Sequence, residues 1–176
     1  GLLKPQTTVG GHRRYLIEDL LQFARNQGIK LDGYEPDNRH VLIVDDNESL
    51  AQFLSEALRR LSPGLEAEIA VSGFEAGHKL VSFEPDAVVL DLMMADMDGF
   101  EVCRMIKRDE QTQDIDVVAI TGYPSEENAT RIVAEGAKIC LPKPIDLPQL
   151  LKALDITADP EQMKKAGLQS ETAPAD

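Results

Sequence analysis

Four short apolar runs in this chain each end on a polar residue, and that pattern constrains the fold more than any other feature. Val41-Leu42-Ile43-Val44 runs into Asp45-Asp46, Ala87-Val88-Val89-Leu90 into Asp91, Val117-Val118-Ala119-Ile120 into Thr121, and Ile139-Cys140-Leu141-Pro142 into Lys143. Continuous apolar runs of this length suit strands buried on both faces, as in a parallel sheet covered by helices. Between them the apolar spacing turns helical: Leu50, Phe53, Leu54, Ala57, Leu58 and Leu61 after the first run, and Phe100, Cys103 and Ile106 after Asp91. Leu147, Leu150, Leu151 and Leu154 repeat it after Lys143. Residues 65–71 read as a further strand, and Ser72 caps a helix to about residue 83. Pro124-Ser125-Glu126-Glu127 opens another helix, which Gly136 closes. Five βα units with right-handed crossovers predict an α/β fold over residues 40–154, a doubly wound five-stranded parallel sheet ordered 2-1-3-4-5.

Ligands of such sheets bind beyond the carboxyl ends of the strands, where the strand order reverses. Asp45, Asp46 and Asp91 are all delivered to that edge, with the Thr121 hydroxyl and the Lys143 ammonium. Three carboxylates there repel one another unless a cation sits among them. A hard divalent ion with oxygen ligands, most simply Mg²⁺, is the natural occupant. Asp91, at the end of a buried strand and beside the loop 92–99, suits a nucleophile or a metal ligand. Met93, Met94 and Met97 read as loop and core fillers, because thioethers are too soft for Mg²⁺. Asp98-Gly99 reads as the turn and cap leading into the next helix.

Acid pair, lone Asp, Thr and Lys, each at a strand end and in this order, resemble the receiver domain of bacterial response regulators. The resemblance spans roughly residues 40–154 and implies a flavodoxin-like fold carrying a phosphorylation switch. Asp91 would accept a phosphoryl group from a sensor histidine kinase or phosphotransfer protein. Asp46, Asp91 and the backbone carbonyl of Met93 would bind Mg²⁺, with Asp45 acting directly or through water. Thr121 and Lys143 would contact the phosphoryl oxygens, and Lys143-Pro144 would be a cis peptide. Such a domain catalyses only its own phosphotransfer and dephosphorylation, so it is not expected to be an enzyme in the usual sense. The segment 125–154 would form the output or dimer face.

One position departs from the family pattern. Three residues before the Lys, receivers usually carry Tyr or Phe, whose ring moves with the Thr hydroxyl; here the residue is Cys140. The switch at Cys140 is therefore expected to be small, with the signal passing through the loop after Thr121, where Tyr123 stands. A haloacid-dehalogenase-like phosphatase also uses an aspartyl nucleophile with Mg²⁺ but needs a second Asp two residues later. Met93 holds that place after Asp91, and Asn47 holds it after Asp45, so that reading fails.

Charge separates the head from the body. The chain carries a net −13, yet residues 1–31 hold Lys4, Arg13, Arg14, Arg25 and Lys30 against Glu18 and Asp19, a balance of +3. An acidic body disfavours non-specific contact with nucleic acid, whereas a basic head favours it. Residues 8–15 read as a hairpin turning at Gly10-Gly11, followed by a helix with Ile17, Leu20, Leu21 and Ala24 on one face. Gly10-Gly11-His12-Arg13-Arg14-Tyr15, followed by Glu18-Asp19-Leu20-Leu21, resembles the wing and next helix of MerR- and excisionase-type winged-helix DNA-binding domains. That resemblance implies a partial DNA-binding domain over 1–31, entered part-way, with a linker over 32–39 and DNA contacts from His12, Arg13 and Arg14. Transcription regulation is the expected output. The alternative is a stand-alone receiver working through protein contacts in a phosphorelay. A homodimer through the 125–154 face or the N-terminal helix stays open.

No apolar run approaches membrane-spanning length, and no charged-then-apolar leader opens the chain. Cys103 and Cys140 offer neither a disulfide framework nor metal spacing. They read as buried thiols of a cytoplasmic protein. Residues 155–176 have little to bury and read as a disordered tail, with a frayed helix over 160–166.

Overall fold

The computed structural model describes residues 6–7, 13–14, 39–95 and 97–168. The chain divides into two compact units, 1–36 and 37–176. In the first, β1 (Gln6–Thr7) pairs antiparallel with β2 (Arg13–Arg14), Gln6 opposite Arg14 and Thr7 opposite Arg13. The return strand of the hairpin thus carries both arginines. The turn at Gly10-Gly11, His12, the amphipathic helix after Tyr15 and the linker up to residue 38 lie outside the described residues.

The second unit is built on a parallel sheet of β3 (His40–Val44), β4 (Glu66–Ala70), β5 (Ala87–Asp91), β6 (Asp116–Thr121) and β7 (Ile139–Pro142). Its order, β4-β3-β5-β6-β7, is the expected 2-1-3-4-5. The order reverses between β3 and β5, the two strands that end in acids. Helices α1 (Glu48–Leu61), α2 (Gly73–Ser82), α3 (Gly99–Arg108), α4 (Glu126–Ala134) and α5 (Leu147–Ala153) make the connections. Each begins at a side chain that accepts a hydrogen bond from a first-turn N–H: Asn47, Ser72, Asp98, Ser125 and Asp146. Those caps satisfy donors that a helix start otherwise leaves open. α1 stops at Ser62, and Gly64 then takes a positive φ of 107° that favours glycine.

The alternation of each central strand splits the core in two. Val41, Ile43, Val89, Val118 and Ile120 pack against Leu54, Leu58, Leu150 and Leu154 of the α1/α5 side. Leu42, Val44, Val88, Leu90, Val117 and Ala119 pack against Leu80, Phe100, Ile106 and Ile132 of the α2–α4 side. Both faces are dry, which is why these strands lack polar alternation.

Within the tail the helix expected over 160–166 is present, but the expectation of disorder needs correction over residues 155–168, which pack on the core. Pro160–Lys165 forms a helix, α6, capped by Asp159, whose own N–H donates to Leu61 O at 2.7 Å. Met163 and Ile156 join the α1/α5 core, and Leu168 packs on its edge. Ile156, Met163 and Leu168 are too sparse to show helical periodicity, so their burial depends on the partner surface supplied by α1 and α5. Residues 169–176 lie outside the described residues. A smaller correction concerns the thiols: Cys103 is buried, but Cys140 is only half-buried. Among the described residues, no helix is long and apolar enough to cross a membrane.

Candidate functional site

β3 and β5 run side by side with Val44 opposite Leu90. The residues that follow these partners therefore emerge together: Asp45 and Asp46 from one strand, Asp91 from the other. Each offers a carboxylate oxygen within 4.8 Å of the other two. Asp45 and Asp91 are buried, at 0% and 3% exposure, while Asp46 is exposed. One oxygen of each acid is held by a backbone N–H. Asn47 donates to Asp45 Oδ1 at 2.8 Å, Ala95 to Asp46 Oδ2 at 2.9 Å, and Met93 to Asp91 Oδ1 at 3.2 Å.

Lys143 closes the site from the far side of β6. Its Nζ donates to Asp45 Oδ2 at 2.7 Å and to Asp91 Oδ2 at 2.9 Å. Lys143 N–H donates to Thr121 O at 2.8 Å, and the Lys143-Pro144 peptide is cis. Thr121 is 1% exposed, and its Oγ1 accepts from Tyr123 N–H at 3.1 Å. Tyr123 itself is 71% exposed. Cys140 is half-buried. With Thr121, Ser125, Ala129 and Pro142 it lines a recess of about 300 Å³. The side chains of His12, Arg13 and Arg14 lie outside the described residues.

Burial pushes the Asp91 carboxyl above its ordinary range; the Lys143 and Met93 hydrogen bonds oppose this, and the Asp45 charge adds to it. Burial alone would lower Lys143, but its bonds to Asp45 and Asp91 outweigh that and hold the ammonium above its ordinary range. Three carboxylates thus face one ammonium. The donor set is all oxygen, and one acid opens to solvent, so water can complete an octahedron. A divalent, strongly hydrated cation fits on both counts.

Sequence reasoning did not find the three N–H donors, because they depend on loop conformation. Asn47 entered the reading of the sequence only as the residue two after Asp45. The closure of the loop after Asp91 was also hidden: Met93 and Asp98 form an isolated antiparallel bridge, and Gly99 N–H donates to Leu92 O at 3.2 Å. Asp98 does cap α3, accepting from Phe100 N–H at 3.0 Å.

The family model of the response regulator receiver domain matches residues 41–155. The chain belongs to that family. Among relatives of this receiver, the DNA-binding dual master transcriptional regulator RpaA of Synechocystis sp. is 33% identical over 111 residues, 63% of this chain and 45% of that protein. Response regulator MprA of Mycolicibacterium vanbaalenii is 36% identical over 111 residues, 63% of this chain and 46% of its own length. The chain spans about half the length of these regulators or less. The solved signal receiver domain of a DNA binding response regulator protein (merR) from Colwellia psychrerythraea 34H is 40% identical. It superposes with a TM-score of 0.64 over 66% of this chain and 95% of that one.

Proposed function

We propose that this receiver takes a phosphoryl group onto Asp91 from a phosphohistidine of a sensor histidine kinase or phosphotransfer protein, and that the modified domain switches transcription. The observation that carries the reading is the Lys143 ammonium bonded to both Asp45 and Asp91 beside a third acid. An oxygen of Asp91 forms the new P–O bond as the donor's P–N bond breaks, and the imidazole nitrogen leaves with the electron pair. Asp46, Asp91 and the Met93 carbonyl, with Asp45 acting directly or through water, would hold Mg²⁺, whose charge would neutralise phosphoryl oxygens. Lys143 exchanges its contact with Asp91 Oδ2 for a phosphoryl oxygen. Thr121 turns its hydroxyl from Tyr123 N–H to another, and the compact Cys140 moves little in response. Burial of Asp91 limits access of water to the acyl phosphate.

The RpaA relative and the merR neighbour are both described as DNA-binding. They support a DNA-directed output here, with His12, Arg13 and Arg14 on the basic hairpin as the contacts, in a cytoplasmic protein. The test is incubation with a small acyl phosphate. One phosphoryl group is added per chain with Mg²⁺ and none with a chelator. Asp46→Ala raises the Mg²⁺ concentration required, by about 10-fold or more. Labelling at an equal rate with and without chelator contradicts the metal assignment.

A further inference from the structure

We infer that Gly99 is a positioning residue for the metal site, because its missing Cβ lets the loop after Asp91 close tightly enough to hold Met93 against the acids. The inference rests on the metal-site reading above. A Cβ at residue 99 would lie 2.2 Å from Asp91 O, 2.7 Å from Leu92 Cα and 3.0 Å from the Asp91 carbonyl carbon. All three are backbone atoms, so no side chain can swing aside. Gly99 is not at positive φ, so the need is steric and not conformational.

Something must therefore move, and the two sides of the contact are unequal. The Asp91–Leu92 side is anchored: Asp91 pairs with Ile120 in the sheet, Leu92 N–H donates to Ile120 O at 3.0 Å, and Leu92 is 1% exposed. Opposite it, residues 93–95, 97 and 98 belong to no helix or sheet strand, and Met93 is 53% exposed. The loop side yields. Gly99 N–H would leave Leu92 O, the Met93–Asp98 bridge would open, and Met93 N–H would leave Asp91 Oδ1. Those contacts set where the Met93 carbonyl sits relative to the carboxylates. Mg²⁺ tolerates little departure from octahedral geometry, so the displacement is read as lost affinity.

Other glycines give the control. A Cβ at Gly77, inside α2, meets nothing within 4 Å. Calorimetric titration with Mg²⁺ alone compares wild type, Gly99→Ala and Gly77→Ala, with far-UV circular dichroism to establish that each is folded. The expected result is a loss of about 10- to 100-fold in Mg²⁺ affinity for Gly99→Ala and no change for Gly77→Ala. Equal affinity of wild type and folded Gly99→Ala overturns the inference and leaves the metal site standing. A wild type that binds no Mg²⁺ overturns both. Should Gly99→Ala fail to fold, amide exchange on wild type decides. The Gly99 N–H is expected to exchange more slowly once Mg²⁺ is added, since loop closure and metal binding are linked. Unchanged exchange at saturating Mg²⁺ contradicts the role.

Discussion

Asp45 and Asp91 are both out of water, and Lys143 donates to each of them. Removing that ammonium leaves two buried carboxylates facing each other without a cation. Breaking a fully buried pair costs about 3–5 kcal/mol. Lys143 keeps some solvent exposure, so Lys143→Ala is expected to cost about 2–4 kcal/mol in chelator, measured by urea unfolding. Added Mg²⁺ should restore part of the loss by supplying another cation; equal stability of wild type and variant in chelator would contradict the account. A second residue-scale expectation concerns Thr121 and its neighbours. The Thr121 hydroxyl is tied to Tyr123 N–H, while Cys140 faces an open recess and has no ring to move. Amide chemical shifts on phosphorylation should therefore change more over residues 121–125 than over 138–142. Tyr123→Ala should shorten the acyl-phosphate lifetime by admitting water. A large rearrangement centred on Cys140, or a lifetime indifferent to Tyr123, would count against this division of labour.

At the scale of elements, α6 adds to the domain something that its own composition does not advertise. Its six residues bury one large side chain, Met163, between α1 and α5, and Asp159 N–H ties its start to the last carbonyl of α1. Large-to-small changes of buried Met cost about 2–5 kcal/mol in well-packed cores. Met163 sits on a short edge helix that can settle inward, so Met163→Ala should cost about 2 kcal/mol, the low end of that range. A urea midpoint unchanged by Met163→Ala would mean that α6 does not stabilise the fold. The helices α3 and α4, on the other face of the sheet, are held differently. Arg104 makes two bonds to Glu135, at 3.0 and 2.7 Å, and joins α3 to the end of α4. Arg131 lies over the Phe100 ring at 4.0 Å. α3 and α4 are thus fastened to each other by charged side chains at the surface.

For the molecule as a whole, the sheet was legible because three of its five strands are buried on both faces, and continuous runs such as 41–44 and 117–120 permit little else. The acids, Thr121 and Lys143 were legible because a parallel sheet sends every strand end to one edge. What stayed hidden depends on contacts distant in sequence. Met163 finds its pocket only once α1 and α5 are side by side, Gly99 meets the Asp91 carbonyl only after the loop has closed, and one ammonium serves two acids only when β7 stands beyond β6. The recess beside Cys140 follows from the same logic: a small residue is visible in the sequence, but the space it leaves is not. All of these features converge on Asp91, so the most direct measurement is made there. Wild type and Asp91→Asn, both folded by circular dichroism, are incubated with a small acyl phosphate and Mg²⁺ and followed by intact mass and peptide mapping. One phosphoryl group is expected on wild type, located at Asp91 and lost in alkaline hydroxylamine, and none on Asp91→Asn; stable labelling of Asp91→Asn at another residue would contradict the assignment of Asp91 as phosphoacceptor.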